Sequence, residues 1–443
     1  IGFPVSPGTG KQIQWTYPDS LASGDYQIKI VADDRFEIDI QTLVDAVDSN
    51  LLRDRLEFIE GIRTFNFGAA HYASVKDTIE AHFTNAGLQT ERQSIPPGPT
   101  TDGENIIGRK PGLVDESKTY IIDAHFDSVN DAPGADDNGS GVAGFLEALR
   151  ILKNYDFKRS IQFIGFDLEE SGLIGSEHYV DAGISPHTQI EGVFNLEMIG
   201  YYSENPNSQN MPFGFDILFP DANATLEADS FRGNFLTNVG NDNSLALIQK
   251  LEDCAAQYVP DLKVISLEVP GTGSIAPDLR RSDHAPFWDA GIPALMLTDG
   301  ANFRNPNYHE PSDTIGTLNF TFMHNVVKAT IAAVADLAEI MHSGSETTTV
   351  NIVNSIEGTP IPGCEMKIFP NPANGFVILK MEECVAEKAA IEIFSIDGRQ
   401  VFYEELIPGH QQEILVATHD FGKGLFIVEF GNGRWSVKQE FLI

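Results

Sequence analysis

Residues 120–152 read YIIDAHFDSVNDAPGADDNGSGVAGFLEALRIL, and they give the clearest indication of the fold class. Its first part, 120–125, is an apolar run of the length of a strand, and its last part, 141–152, repeats apolar residues at helical spacing. A glycine-rich acidic loop at 134–141 leads into that helix. A strand that passes through such a loop into an amphipathic helix is typical of α/β proteins.

The same alternation continues on both sides of this stretch. Further strands are predicted from apolar runs at 161–166, 192–196, 264–269 and 293–297. Further helices are predicted at 42–62, 74–86, 244–258 and 322–341. This order predicts an α/β fold with a mostly parallel central sheet and helices on both faces.

The chain changes character near residue 343. Residues 343–362 are rich in Ser, Gly, Thr, Asn and Pro, which is the composition of a linker. After the linker, short alternating segments separated by turn residues predict a small all-β sandwich at 363–443. The predicted organisation is an unassigned N-terminal segment 1–40, an α/β domain 41–342, the linker 343–362 and the sandwich 363–443.

The composition limits the classes of function. A chain that is 42% hydrophobic and 21% charged is globular, and 29 Lys and Arg against 64 Asp and Glu give a formal charge of −35. That charge disfavours nucleic acids and anionic membranes as partners. The longest apolar candidate, 331–341, is broken by Asp336 and Glu339, so no membrane-spanning segment is predicted. Cys364 and Cys384 could pair, or both could be free thiols.

Histidine and acidic residues follow the predicted strands, at the edge where open α/β sheets bind ligands. These residues are His125, Asp127, Asp136, Asp137, Glu169, Glu170, Glu197 and His309. Each pair alone is common in so acidic a chain, but the shared position at strand ends predicts that they meet. Imidazole and carboxylate ligands without cysteine suit catalytic zinc, and an inward-facing carboxylate of the glycine-rich loop could bridge two cations. The residues therefore predict a carboxylate-bridged two-zinc hydrolase site.

The order of these motifs resembles the secreted di-zinc aminopeptidases, whose clan includes glutamate carboxypeptidase II and the animal glutaminyl cyclases. The resemblance covers about residues 42–341. The zinc ligands that it implies are His125 and Glu197 for one ion, Glu170 and His309 for the other, and Asp136 as the bridge. It also implies that Asp127 orients His125, that Asp137 lies beside the bridge and that Glu169 is the general base. Many members have Asp at the position of Glu197, and the longer side chain still offers a carboxylate ligand.

The tail is similar to the C-terminal sorting domain of proteins that use type IX secretion. The motifs that carry this similarity are FPNP at 369–372, IFSIDGR at 393–399 and GLFIVE at 424–429. The resemblance implies that the type IX machinery is a partner of the chain. It also implies a protein that is secreted or attached to the cell surface.

We therefore expect a secreted zinc exopeptidase, an aminopeptidase that hydrolyses the N-terminal residue of peptides with the help of two zinc ions. Met198 and Phe303 are candidates for the pocket of the first side chain, and His284 is a candidate for supporting the ligands. A carboxypeptidase, a glutaminyl cyclase and a non-catalytic surface binding module of the same fold remain alternatives. In a carboxypeptidase, Arg280 or Arg281 could clamp the terminal carboxylate of the substrate.

Overall fold

The computed structural model describes residues 38–96 and 103–341, and parts of the tail. The described parts of the tail are 365–371, 373, 375–382, 389–395, 400–406, 413–418, 421, 425–431 and 436–442. The predicted linker 343–362, Cys364, Cys384 and residues 1–37 lie outside the described residues. The α/β unit and the tail are separate units, and each is described by itself.

The α/β unit is built on one eight-stranded sheet. Its strands are β1 (Gln89–Ser94), β2 (Glu104–Lys110), β3 (Asp115–His125), β4 (Arg159–Phe166), β5 (Gln189–Leu196), β6 (Leu236–Asn241), β7 (Val264–Val269) and β8 (Ala294–Thr298). They lie in the order β1-β2-β4-β3-β5-β8-β6-β7. The central strands β4, β3, β5 and β8 run parallel, whereas β1, β2 and the β6–β8 pairing are antiparallel. The prediction of a mostly parallel central sheet is confirmed.

Helices cover both faces of this sheet. They are α1 (Ile40–Asp45), α2 (Ser49–Ile59), α3 (Ala69–Asn85), α4 (Gly141–Leu152), α5 (Ile174–His178), α6 (Phe215–Leu218), α7 (Pro220–Ala228), α8 (Leu245–Tyr258), α9 (His284–Asp289) and α10 (Phe320–Leu337). Because side chains alternate along a strand, Ile122 of β3 joins a core with α4, α8 and α10, while Ile121 joins a core with α7 and α9. None of the helices in the described ranges is long and apolar enough to cross a membrane.

The periodicity merged two helices and missed several elements. The segment predicted as one helix at 42–62 is α1 and α2, because Asp48 interrupts it and its side chain accepts a hydrogen bond from the N–H of Asn50 at 2.8 Å. Strand β1 has the sequence QTERQS and lies at the sheet edge, so it shows little of the apolar pattern that identifies strands. The short helices α6 and α7 occupy a region in which the sequence contains no recognised motif.

The tail forms two antiparallel sheets that share one core. Its strands are β9 (Glu365–Phe369), β10 (Phe376–Glu382), β11 (Ala389–Ser395), β12 (Gln400–Leu406), β13 (Glu413–Ala417), β14 (Leu425–Gly431) and β15 (Ser436–Leu442). One sheet has the order β13-β10-β9 and the other β12-β11-β14-β15. Val377 and Leu379 of the first sheet and Ile391, Ile393 and Val428 of the second are completely buried in this core. The prediction of a small β-sandwich is confirmed.

Candidate active site

The carboxyl ends of three parallel strands carry much of the candidate site. His125 is the last residue of β3 and lies in register with Phe166, the last residue of β4. The Glu169-Glu170 pair lies shortly after β4, and Glu197 directly follows β5. The sheet therefore brings to one edge acidic and imidazole groups that are far apart in the sequence.

The glycine-rich loop brings a further carboxylate to the same edge. Gly134 adopts a left-handed φ of 59°, and a Cβ atom there would lie 2.3 Å from the backbone oxygen of Asp137 and 2.7 Å from the guanidinium of Arg63. Only glycine fits this turn. The carboxylate of Asp313 accepts hydrogen bonds from the backbone N–H of Asp136 at 3.0 Å and of Asp137 at 3.1 Å. These contacts fix the direction in which the Asp137 side chain points.

His125, Asp137 and Glu197 form the first group of potential metal ligands. The Nε2 atom of His125 lies 3.3 Å from Oδ1 of Asp137 and 3.3 Å from Oε2 of Glu197. One ligand atom from each residue falls within 4.8 Å of the others, and all three residues are buried. A divalent ion between them would have one imidazole and two carboxylate ligands, which suits zinc.

Asp137, Glu170 and His309 form the second group. The Nε2 atom of His309 lies 3.0 Å from Oδ2 of Asp137 and 3.2 Å from Oε2 of Glu170. Asp137 therefore directs one carboxylate oxygen at each histidine. This is the arrangement required of a carboxylate that bridges two ions.

Asp127 connects the two sides of the site. Its Oδ1 atom lies 3.3 Å from Nδ1 of His125, on the side of the ring opposite to the Nε2 that faces Asp137. The two oxygens of Asp127 also accept hydrogen bonds from the backbone N–H of Glu169 at 3.2 Å and of Glu170 at 3.1 Å. One buried carboxylate thus fixes both the imidazole ring and the segment that carries the two glutamates.

The prediction of Asp136 as the bridging carboxylate is wrong by one residue, because Asp137 is the acid that belongs to both ligand groups. Oδ1 of Asp136 accepts a hydrogen bond from the N–H of Gly200 at 2.9 Å, and Oδ2 accepts one from the side-chain amide of Asn305 at 2.7 Å. Burial and the neighbouring Asp299 carboxylate raise the pKa of Asp136 well above its ordinary value. Asp136 belongs to neither ligand group and its carboxylate is bonded to Gly200 and Asn305, whereas the Asp137 carboxylate lies against both histidines.

Four residues that support this geometry were not identified from the sequence. They are Asp313, Asn138, Ser282 and Arg63. Asn138 and Ser282 each donate a hydrogen bond to Oε2 of Glu197, at 3.3 and 2.7 Å. Asp313 follows His309 closely in the sequence, and that proximity is the one signal that could have drawn attention to it.

Arg63 lies in the interior beneath the acidic cluster. Its guanidinium is completely buried, and within the described ranges its hydrogen bonds all go to backbone carbonyl oxygens, among them those of Phe126 and Gly134. Burial lowers the pKa of Arg63 to about 10, and the charges of Asp127 and Asp137 oppose this shift. The residue is therefore a fixed positive charge behind the carboxylates, and no local sequence pattern predicts it.

The electrostatics of the site favour bound cations. Burial alone would lower the pKa of His309, but Asp137 and Glu170 raise it to about 10. Burial, together with the charge of Asp137, raises the pKa of Glu170 to about 7. Three buried atoms have no hydrogen-bond partner of good geometry among the described residues: Nε2 of His125, Nε2 of His309 and Oδ2 of Asp137. Donor types, burial and these unpartnered atoms fit two zinc ions, which would compete with protons for the imidazoles.

Glu169 lies beside both groups and belongs to neither. Its Oε2 atom is 3.9 Å from Nε2 of His125, and its side chain is 11% exposed. Burial is the main cause that raises the pKa of Glu169 well above its ordinary value. A carboxylate in this position can exchange a proton with a molecule bound at the site.

The remaining candidates differ in their surroundings. Met198 has no exposed surface, so the structure does not support a substrate contact by its side chain. Phe303 is partly exposed on the segment before His309, and its pocket role stays a prediction. His284 is buried, with Nε2 2.9 Å from the backbone oxygen of Leu279, and contacts Trp288 rather than a ligand.

Comparison with known proteins identifies both units. Residues 105–334 match peptidase family M28, and residues 367–443 match the secretion system C-terminal sorting domain. The second match confirms the sequence-based reading of the tail as a type IX sorting domain. Its presence indicates a protein that is secreted or attached to the cell surface.

Several relatives share the α/β unit. The chain is 35% identical over 266 residues to the uncharacterized protein YfbL of Escherichia coli, covering 57% of this chain and 76% of that protein. It is 33% identical over 223 residues to aminopeptidase YwaD of Bacillus subtilis, covering 48% of this chain but only 40% of that protein.

Among solved structures, the LapA aminopeptidase of Legionella pneumophila has the same fold, with a TM-score of 0.51, 23% identity and coverage of 71% of this chain and 79% of that one. This likeness concerns the fold, whereas the match over 105–334 covers more than half of the sequence. The chain therefore belongs to peptidase family M28, a family of hydrolases with aminopeptidase members, and it carries a type IX secretion sorting domain at its C-terminus.

Proposed function

We propose that the protein is a secreted zinc aminopeptidase that removes the N-terminal residue of peptides. The observation that carries this proposal is the placement of Asp137, whose two oxygens face His125 and His309 at 3.3 and 3.0 Å. Two three-ligand groups that share one carboxylate are suited to a pair of catalytic ions. The similarity to aminopeptidase YwaD supports the same activity.

In this proposal His125 and Glu197 would hold one zinc, Glu170 and His309 would hold the other, and Asp137 would be shared by both groups. When bound, the zinc pair would lower the pKa of a water towards about 7 and polarise the scissile carbonyl. Asp127 keeps the ring of His125 in the required orientation through Nδ1.

Glu169 is the general base of the proposed reaction. Its Oε2 accepts a proton from the attacking water and returns it to the nitrogen of the leaving amine. The raised pKa of Glu169, caused chiefly by burial, suits a group that must both accept and release a proton. The Asp127 carboxylate holds its backbone N–H, so the base keeps a fixed position.

The free amino group of the substrate gives the preference for the N-terminus. The site is lined by carboxylates and lies in a chain of net charge −35, so a substrate ammonium group is attracted and a carboxylate is repelled. Acetylation of the substrate removes this charge. An aminopeptidase should therefore act on free peptides and spare acetylated ones.

The test uses one peptide with an N-terminal leucine in three forms: free, N-acetylated and C-amidated. The zinc-loaded enzyme should release leucine from the free and amidated forms and leave the acetylated form intact. Cleavage of the acetylated form with the amidated form spared would identify a carboxypeptidase instead. A peptide with N-terminal glutamine tests the cyclase alternative, because a cyclase would leave a pyroglutamyl peptide and release ammonia, whereas an aminopeptidase would release glutamine.

A further inference from the structure

Arg281 is an exposed cation held in a defined position near the candidate active site. Its Nη1 donates a hydrogen bond to the side-chain oxygen of Asn302 at 2.9 Å, and its Nη2 donates one to the hydroxyl of Tyr308 at 2.9 Å. Two anchors on different side chains reduce the rotational freedom of a guanidinium that would otherwise move freely in water. Arg281 is therefore ready to bind an anion with little further loss of entropy.

The neighbouring arginine has a different environment. Arg280 forms an ion pair with Asp289 at 2.6 Å and donates a second bond to the backbone oxygen of Thr272. Arg281 makes no ion pair with any of the residues that the structure describes. The guanidinium of Arg281 has N–H groups beyond the two that bind Asn302 and Tyr308, and these can donate to an acceptor outside the chain.

Tyr308 connects Arg281 to the ligand groups. The Tyr308 ring stacks on His309 with 3.9 Å between ring centres and an interplanar angle of 17°. The guanidinium carbon of Arg281 lies 5.6 Å from the centre of the Tyr308 ring. These two distances together place that carbon no more than about 9.5 Å from the centre of the His309 ring.

This distance matches the reach of a short substrate. An extended residue spans roughly 3.3–3.6 Å, so a carboxylate within one or two residues of the scissile bond could reach the guanidinium. The side chains of the two ligand groups are buried or partly buried, whereas Arg281 is exposed. In the proposed aminopeptidase the amino end of the substrate lies at the buried ligand groups, so the part of the peptide that leaves extends towards the exposed side.

We propose that Arg281 is a specificity-determining residue that binds a substrate carboxylate on the leaving-group side of the scissile bond. The carboxylate comes either from an acidic second residue or from the C-terminus of a dipeptide. This inference rests on the proposed aminopeptidase function. The preferred substrates would then be short or acidic peptides, although the rest of the site repels negative charge.

The test compares matched pairs of substrates that differ by one charge. Leu-Asp-amide and Leu-Asn-amide examine the acidic side chain, and Leu-Gly and Leu-Gly-amide examine the terminal carboxylate. The wild type should prefer the charged member of at least one pair by about threefold to tenfold in kcat/KM, as expected of an oriented but exposed ion pair. The pair that shows the preference identifies the source of the carboxylate.

Two variants and a control assign this preference to Arg281. Arg281→Gln should abolish the ratio between charged and neutral substrates, mainly through KM, because the binding contact is lost. Arg281→Lys keeps the charge and should retain part of the ratio. Arg280→Gln removes the same charge one residue away, where it is already paired with Asp289, and should leave the ratio unchanged. Zinc content is measured for each variant, since Tyr308 stacks on His309.

The possible failures can be told apart. If the zinc-loaded wild type cleaves the amidated neutral substrates but shows no charge preference, the role of Arg281 is refuted while the proposed function stands. A preference that persists in Arg281→Gln, or that disappears equally in Arg280→Gln, also refutes it. If none of the four substrates is cleaved, the proposed function itself is refuted, and the inference about Arg281 with it.

Discussion

Replacement of the central carboxylate, that of Asp137, should weaken the binding of both metals at once. Asp137→Asn keeps the size of the side chain but replaces a carboxylate with a neutral amide that has one oxygen. In the structure, Asp137 supplies one of three ligand atoms to the group with His125 and Glu197 and one of three to the group with Glu170 and His309. The amide can offer its single oxygen to only one group, and that oxygen carries no full charge.

The expected loss can be bounded. Removal of a group that only supports a ligand typically weakens metal binding about 10- to 100-fold. Since Asp137 is itself a proposed ligand of both ions, each ion should bind at least about 100-fold more weakly. Because the site would keep four carboxylates around two histidines, those of Asp127, Glu169, Glu170 and Glu197, part of the cation attraction remains. Zinc content after dialysis against a zinc-buffered solution should fall from about two per chain to below one.

The adjacent acid is the matched control. Asp136→Asn changes the preceding residue in the same way, but its side chain contacts Gly200 and Asn305 rather than the histidines. Burial and Asp299 raise the pKa of Asp136, which favours the protonated form, and an amide resembles that form. The control should keep both zinc ions and lose only stability.

Elemental analysis of both variants, with circular dichroism to verify folding, decides between the two acids. If Asp136→Asn loses both zinc ions while a folded Asp137→Asn keeps them, the assignment of the bridge to Asp137 is refuted.

Three further predictions concern the base, a buried histidine and the tail. Glu169→Gln should retain zinc and fold while kcat falls about 10²- to 10⁴-fold, whereas Glu170→Gln should lose zinc; reversed results in elemental analysis and kinetics would exchange their roles. Burial lowers the pKa of His284 to about 4 in the folded chain, whereas an unfolded histidine has a pKa of about 6.5. The contribution of the neutral imidazole to stability is therefore fully present above pH 6.5 and is lost as the pH falls towards 4. Relative to His284→Gln, the wild type should lose about 3 kcal/mol of unfolding free energy over that interval in urea titrations, and parallel pH profiles would contradict this. A chain that ends after Met341 should keep peptidase activity when purified but fail to be secreted by its native host, and unfolding of the shortened chain would show that the tail supports the α/β unit.

The sequence predicts much of the fold because the buried elements have strong patterns. Strand β3 ends in an apolar run of strand length, and helix α4 repeats apolar residues at helical spacing. The tail segments alternate apolar and polar residues, as Val377 and Leu379 in β10 show, and they form the predicted sandwich. Strand β1 escaped prediction because an edge strand can be polar and still complete the sheet through backbone hydrogen bonds.

The sequence also predicts which residues meet at the candidate site, because topology alone brings strand ends together. Chain order along parallel strands places His125, the Glu169-Glu170 pair and Glu197 at one edge without any knowledge of side-chain packing. It does not specify the supporting residues. Arg63 and Ser282 are far from these strand ends in the sequence and have no periodic neighbours that would single them out.

The choice between Asp136 and Asp137 shows where such reasoning stops. Both acids lie in the same loop, and composition, charge and distance from β3 do not distinguish them. The decision is made by Asp313, which accepts the N–H groups of both residues from 177 and 176 positions away and so fixes the rotation of the loop. Because successive side chains of a tight loop point in different directions, rotating the loop by one residue would exchange the roles of the two acids. Which of the two acids faces the histidines thus depends on hydrogen bonds to a residue far away in the sequence. We therefore expect Asp313→Asn to weaken zinc binding, although Asp313 belongs to neither ligand group.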